Sequence, residues 1–345
     1  MSSQAELMRQ ATLLHEARKP GDAARLYEQV LAADPEDADA LHLLGVARGQ
    51  TGDAAAAVQL IGKAIERRGD VAMYHLNLAR ALSRLDDKAA MVAALQRAIA
   101  LDDRDNTARI LLTQHLMPGA SYMEVLKKFQ DWLQPASYLE IGVETGRSLA
   151  LAVPPTRAIG IDPAPKIAVK FSAETRLFQI TSDEFFARHD LASEFGRPHV
   201  DLAFIDGLHL FEQTLRDFIN VERYAGPRSV FLVHDCLPLD AVSASRERRG
   251  WFWTGDVWKL IPALKRWRPD LAIRTIATRP SGLAVITQLD ATSRVLADNF
   301  EAIVAEFIDM PVPVDPAEQR DQLARVDNDL AEIEADLRMR GYGAS

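Results

Sequence analysis

The chain has 345 residues, 48% of them apolar and 26% charged, which predicts a globular protein with room for two or three domains. A net charge of −9 argues against a broad phosphate-binding surface, so no nucleic-acid partner is expected, although a local basic groove stays open. Cys236 is the only cysteine, no apolar run approaches the ~20 residues of a membrane span, and no basic-then-apolar leader opens the chain, so the expectation is a cytoplasmic protein with no membrane span.

In chain order, the first feature is a repeat. Shifted by 34 residues, Leu44-Gly45 falls on Leu78-Ala79, and Ala57, Ile61, Ala64 and Ile65 fall on Met91, Leu95, Ala98 and Ile99. One period earlier stand Ala23, Tyr27, Val30 and Leu31, followed by Asp34-Pro35. Small residues recur where two helices must approach, and larger apolar ones recur at helical spacing. A helix–turn–helix unit of this period resembles the tetratricopeptide repeat. Three repeats are predicted over about residues 5–106, the first with a shortened opening helix and the third degenerate at Met91, in an all-α domain over 1–117. Such an array carries no chemistry; its concave face holds a protein partner, or it packs on the next domain or on a second copy.

Pro118-Gly119-Ala120-Ser121 breaks the helical pattern and starts a second domain, 118–291. Met123, Leu126, Phe129 and Trp132 predict a leading amphipathic helix. Strands then alternate with helices: Tyr138–Ile141, a helix near Gly146–Val153, Ala158–Ile161, Leu177–Ile180, a helix from Asp183, and Val200–Ile205. A helix over Phe211–Tyr224, strand Ser229–Val233, a helix to Trp267, and strands Leu271–Ala277 and Leu283–Gln288 complete seven, the last two as an antiparallel edge pair. The fold class is α/β, a Rossmann-like seven-stranded sheet with helices on both faces.

In such a sheet, ligands bind beyond the carboxyl ends of the strands. Strand one ends in Glu140-Ile141-Gly142 and turns through Gly146; strand two ends in Asp162, a carboxylate suited to two ribose hydroxyls. Thr181-Ser182-Asp183 follow strand three, where short polar groups can read a purine edge. Strand four ends in Asp206-Gly207-Leu208-His209 and strand five in His234-Asp235. Singly, each is as well read as a tight turn or a helix cap; their order along successive strands is what points to a nucleoside cofactor. A dinucleotide dehydrogenase is disfavoured, because Gly142-Val143-Glu144-Thr145-Gly146 lacks the three-glycine fingerprint and no tyrosine has a lysine four residues on.

Tyr138–Gly142, Gly160-Ile161-Asp162, Phe204–His209, Val233-His234-Asp235 and Trp253–Lys259 together resemble class I S-adenosylmethionine-dependent methyltransferases, closest to bacterial sugar and small-molecule O-methyltransferases. The resemblance implies that Glu140, Gly142 and Gly146 lie near the methionine moiety, Asp162 at the ribose, Ser182 and Asp183 at adenine, and Asp206 between cofactor and acceptor. Two routes of acceptor activation follow. In one, Asp206 and Asp235, with His234 or a nearby group, bind Mg2+, as acidic residues at these strand ends do in some relatives, and lower the hydroxyl's pKa. In the other, His209 or His234 is the general base beside Asp206; against this stands a supporting hydrogen bond or a strand-end cap.

The long stretch from Cys236 to Gly255 carries Arg246, Arg248, Arg249, Trp251 and Trp253. Its aromatics suit a sugar and its arginines a phosphate or carboxylate, although the arginine cluster reads better as a solvated loop than as a substrate clamp and Trp253 better as an anchor. In the segment 292–345, Leu323, Val326, Leu330, Ile333 and Leu337 form a two-heptad seam, for a homodimer contact or for docking on the sheet domain. The expected activity is O-methylation of a sugar, glycan or other small hydroxylated acceptor; the alternative is a repeat-based scaffold whose cofactor domain is not catalytic.

Overall fold

The computed structural model describes residues 3–104 and 106–343. The chain divides into two compact units, Met1–Leu112 and Thr113–Ser345.

The first unit holds α1 (Ser3–Glu16), α2 (Pro20–Ala33), α3 (Ala38–Gln50), α4 (Ala54–Arg67), α5 (Ala72–Arg84) and α6 (Lys88–Leu101), and the start of α7 (Asn106–Leu116). Asp37, Asp53 and Asp87 start α3, α4 and α6 by accepting from the N–H of Ala40, Ala56 and Ala90 at 2.9, 2.9 and 3.1 Å, satisfying amides the helix leaves open. A side chain on Gly45 would meet Ile61 at 2.7 Å, which is why α3 presents a small residue to α4. Successive repeats are joined one period apart, with Tyr74 donating to Asp39 at 2.6 Å and Asn77 meeting His42 at 2.9 Å. The opening helix is not shortened: α1 has 14 residues against 13 in α3 and α5.

The second unit runs α8 (Tyr122–Leu133), β1 (Ser137–Ile141), β2 (Arg157–Ile161), β3 (Glu174–Phe178), α9 (Ser182–Arg188), α10 (Leu191–Phe195), β4 (Val200–Ile205), α11 (Phe211–Glu222) and β5 (Ala225–His234). Then come α12 (Leu260–Trp267), β6 (Ala272–Ile276), β7 (Leu283–Thr287), α13 (Val295–Asp298), α14 (Phe300–Phe307), α15 (Pro316–Gln322), β8 (Arg325–Val326) and α16 (Leu330–Met339). They build one mixed sheet in the order β3-β2-β1-β4-β5-β7-β6-β8. The first five strands are parallel; β7 is antiparallel to both neighbours, and β8 is parallel to β6. Every residue of β1 is buried, as expected for a central strand covered on both faces. Strand order reverses between β1 and β4, the position at which open α/β sheets receive ligands beyond the carboxyl ends of their strands.

Four expectations need correction. The sheet has eight strands, because the C-terminal segment adds β8 beyond β6; the antiparallel pair of β6 and β7 forms but does not end the sheet. The seam over residues 323–337 is not one helix: Val326 lies in β8, and Ile333 and Leu337 on α16 pack into the core shared with Leu126 and Val285. The predicted helix after β1 is absent. Gly142, Glu144 and Gly146 take φ of +87°, +48° and +80°, which a right-handed helix excludes, and Pro154-Pro155 follow; only a 3-10 turn at Leu149–Leu151 forms. Finally, β5 starts earlier than read, at Ala225, with a register shift against β4 that the apolar run Val230–Val233 does not signal. No helix among the described residues is long and apolar enough to cross a membrane.

Candidate functional site

At the ends of β1 and β2 the carboxylates are held inward. Glu140 is fully buried and accepts from Tyr138 Oη and Ser148 Oγ, both at 2.6 Å. Burial pushes its carboxyl up to about 8, against the lowering effect of those two hydrogen bonds. Asp162 Oδ2 accepts from the N–H of Val143 and Glu144 at 2.9 and 2.8 Å, and Oδ1 from Ala164 at 2.7 Å. It therefore pins the glycine turn to the end of β2. Gly142 is required by its neighbour: a Cβ there would sit 2.0 Å from the Asp206 carbonyl oxygen. The segment after β2 then closes over the turn, with Lys166 and Ala168 N–H donating to Glu144 and Thr145 carbonyls at 2.7 and 3.0 Å. Ile167 and Phe171 lie against Gly146.

Beyond β3, Thr181 and Glu184 form a capping box that starts α9 and places Ser182 and Asp183 in its first turn. Gln213 on α11 gathers them, its Nε2 lying 3.2 Å from Ser182 Oγ, 3.1 Å from Asp183 Oδ1 and 3.1 Å from Asp217 Oδ1. Asp217 is buried, which raises its carboxyl to about 7 despite hydrogen bonds from Ser182 and Gln213.

The ends of β4 and β5 bring Asp206, His209, His234 and Asp235 together. His234 Nδ1 lies 3.1 Å from Asp206 Oδ1, and His209 Nε2 lies 3.6 Å from the same oxygen. His209 Nδ1 faces two acceptors, Asp235 Oδ2 at 3.2 Å and the Trp253 carbonyl at 3.1 Å, so that nitrogen carries the proton. Ser281 Oγ donates to Asp235 Oδ1. Burial alone would raise Asp206, but His234 and His209 hold it well below the usual carboxylate range. Burial likewise opposes charge on His209, yet Asp235 and Asp206 lift it to about 9, and they also raise His234. One ligand atom each from Asp206, His209 and Asp235 fits within a 4.8 Å span, and each is oriented by a neighbour: His234, the Trp253 carbonyl and Ser281. Such outer support characterises built metal sites.

The stretch after β5 is fastened by the residues that looked free to bind. Arg246 Nη1 reaches Glu212 Oε2 at 2.9 Å and Asp256 Oδ2 at 2.7 Å, so it is not a substrate clamp. Asp256 Oδ1 in turn accepts from Phe211 N–H at 2.8 Å, capping α11 from a distant loop. Trp253 stacks on His209 with ring centroids 5.0 Å apart and donates to the Ser245 carbonyl, which makes it the anchor it was read as. Arg248 lies over Trp253 and Arg249 beside Glu247, while Trp251 is 71% exposed.

Sequence reasoning passed over Tyr122, whose ring lies 4.1 Å from that of His234. It also missed Gln213, Asp217 and Ser281. Tyr122 reads as the polar start of an amphipathic helix, and the capping box at Ser121 and Glu124 was the one available signal that its position is fixed. Gln213 and Asp217 are four apart on one helix face, a spacing that acquires meaning only when Ser182 is brought against it.

The second unit is thus an α/β domain with acids at the ends of its parallel strands, and the first is an array of paired helices. Comparison with known families makes this specific: residues 139–236 match a family described as a methyltransferase domain, and residues 14–85 and 74–105 match tetratricopeptide repeat families. The protein is a methyltransferase-domain protein with N-terminal tetratricopeptide repeats. No curated protein matches it. Similar solved structures include that of MamA, at 28% identity over 30% of this chain and 61% of that one, with a TM-score of 0.29. Others are the first tetratricopeptide domain of human RPAP3, at 15% over 32% and 88% with a TM-score of 0.32, and the Yersinia enterocolitica secretion chaperone SycD with a YopD peptide, at 19% over 33% and 88% with a TM-score of 0.30. The chain thus spans about three fifths of the length of MamA.

Proposed function

We propose that the protein is an S-adenosylmethionine-dependent O-methyltransferase acting on a sugar, glycan or other small hydroxylated acceptor. The observation that carries this reading is the joining of the glycine turn to two strand ends. Asp162 ties the turn to β2, and Gly142 allows the β4 end to approach within contact of it. The order β3-β2-β1-β4-β5-β7-β6 with β7 antiparallel supports a Rossmann-like sheet extended by one added strand.

Bound S-adenosylmethionine supplies an electrophilic methyl group on a cationic sulfur. The chain's own part is to hold donor and acceptor in line and to take the acceptor's proton. Asp162, whose Oδ1 also accepts from Ala164 N–H, is the candidate for the ribose hydroxyls, and Asp183, exposed in the first turn of α9, is the candidate for the adenine edge. Asp206, His209 and Asp235 would be the residues to hold a divalent cation, one ligand atom from each. The cation would lower the pKa of an acceptor hydroxyl. An imidazole in the donor set suits Mn2+ or a similar first-row ion better than Mg2+. The competing route makes His209 or His234 the base directly; Asp235 and the Trp253 carbonyl on Nδ1 would then orient His209 to act through Nε2.

The exposed Trp251 supports a ring-shaped, hydroxylated acceptor. The repeats support recruitment of a protein partner, and the single cysteine supports a cytoplasmic setting. Incubation with methyl-labelled S-adenosylmethionine and a panel of glucose, glucuronate and catechol tests the activity. Label transfer to one of them, lost in excess EDTA, is expected; transfer undiminished by EDTA would remove the cation and leave a histidine as base.

A further inference from the structure

Between α16 and the pair β6 and β7 lies a cleft of about 160 Å³. Its apolar wall is Val285 from β7 with Ile333 and Leu337 from α16, all three buried. Alternation along β6 puts Arg274 on the same face as Ile276, a member of that core. A cation facing a core is costly unless it is paired, and Asp336 supplies a partner. Arg274 Nη2 lies 2.9 Å from Asp336 Oδ1, while Nε of Arg340, which ends α16, lies 2.9 Å from Oδ2. Two guanidiniums thus share one carboxylate. Each carries five N–H donors, so Asp336 takes up few of them and only one of the two positive charges. Both arginines keep about a third of the side chain exposed, within reach of a ligand in the cleft. None of the lining residues comes from β1, β2, β4 or β5, so the cleft is separate from the acids at those strand ends.

We propose that this cleft binds a small carboxylate with a flat apolar body, of about the size of benzoate. A cavity of ~150 Å³ walled by aliphatic side chains accommodates a benzene ring, which sets the size. The guanidinium forks match a carboxylate in two parallel hydrogen bonds, and their excess charge selects an anion. Val285, Ile333 and Leu337 gain contact only from a ligand with apolar surface, so an inorganic anion leaves half of the site unused. A neutral ring of the same shape leaves the other half unused. Binding here does not depend on a methyl donor.

Ligand-observed NMR titration of the full chain with benzoate, benzyl alcohol and inorganic phosphate tests this. The wild type is expected to bind benzoate with a dissociation constant of about 0.1 to 1 mM, and the other two at least about tenfold more weakly. Arg340→Gln and Arg274→Met each remove one fork, the second keeping an apolar stem against the wall. Each is expected to weaken benzoate about tenfold, the scale of hydrogen bonds to a charged group. Melting temperatures show that the variants are folded, and either one suffices if the other is not. Benzoate binding undiminished in a folded variant would place the ligand elsewhere and overturn the proposal. Equal affinity for benzoate and benzyl alcohol, or no benzoate binding at about 10 mM, would overturn it as well. Each of these outcomes leaves the donor reading untouched.

Discussion

At the ends of β1 and β2, Glu140 and Asp162 direct their carboxylates at the protein itself, at Tyr138, Ser148 and the amides of the glycine turn. At the ends of β4 and β5, Asp206 and Asp235 direct theirs at two imidazoles and at each other's surroundings, with a fifth of the Asp206 side chain still open to solvent. The same residue type at equivalent places in one sheet thus has two uses. Where backbone amides converge, an acid becomes a strut that shapes a turn. Where acids and histidines converge without enough amides to satisfy them, the result is a charged cluster of Asp206, His209, His234 and Asp235.

The largest effect should come from the strut side. Gly142→Ala places a methyl group on the Asp206 backbone in a left-handed conformation, and a loss of about 4 kcal/mol or more is expected by chemical denaturation. A loss under 1 kcal/mol would mean that the two strand ends are not in contact. On the cluster side, Asp206→Asn is expected to weaken Mn2+ binding by at least about a hundredfold, measured by titration of the metal alone. An unchanged affinity would return the cluster to a purely proton-handling role.

The subtler contrast concerns pH. Because Glu140 is raised to about 8 in the folded chain, its contribution to stability is full below the unfolded carboxyl range and is lost as pH rises through about 8. The groups facing it are Tyr138, Ser148, the Leu149 amide and Asp206. Replacing Glu140 with Gln should flatten stability between about pH 4.5 and 8, by at most about 5 kcal/mol. A wild-type curve already flat over that interval would show the carboxyl to be solvated.

Much of this was legible beforehand, for identifiable reasons. The repeats show because small residues must recur where helices meet, as at Gly45 and Ala57. The acids at strand ends show because apolar runs such as Val200–Ile205 stop abruptly at them. What was not legible depends on contacts distant in sequence. The glycine turn looked like a helix start because nothing local reveals that Asp162 will engage its amides. Arg246 looked free because Asp256 and Glu212 reach it only after folding. Leu323 to Leu337 kept a heptad rhythm across a strand, because two short elements docking on one core need the same apolar spacing as one long helix.

The central claim is that the crevice between β1 and β4 holds S-adenosylmethionine, and calorimetric titration of the full wild-type chain with that compound tests it most directly. The account predicts one-to-one binding with a dissociation constant in the range of about 1 to 100 μM, on the order of 6 to 8 kcal/mol, lost in Asp162→Ala. No binding by the wild type would contradict it.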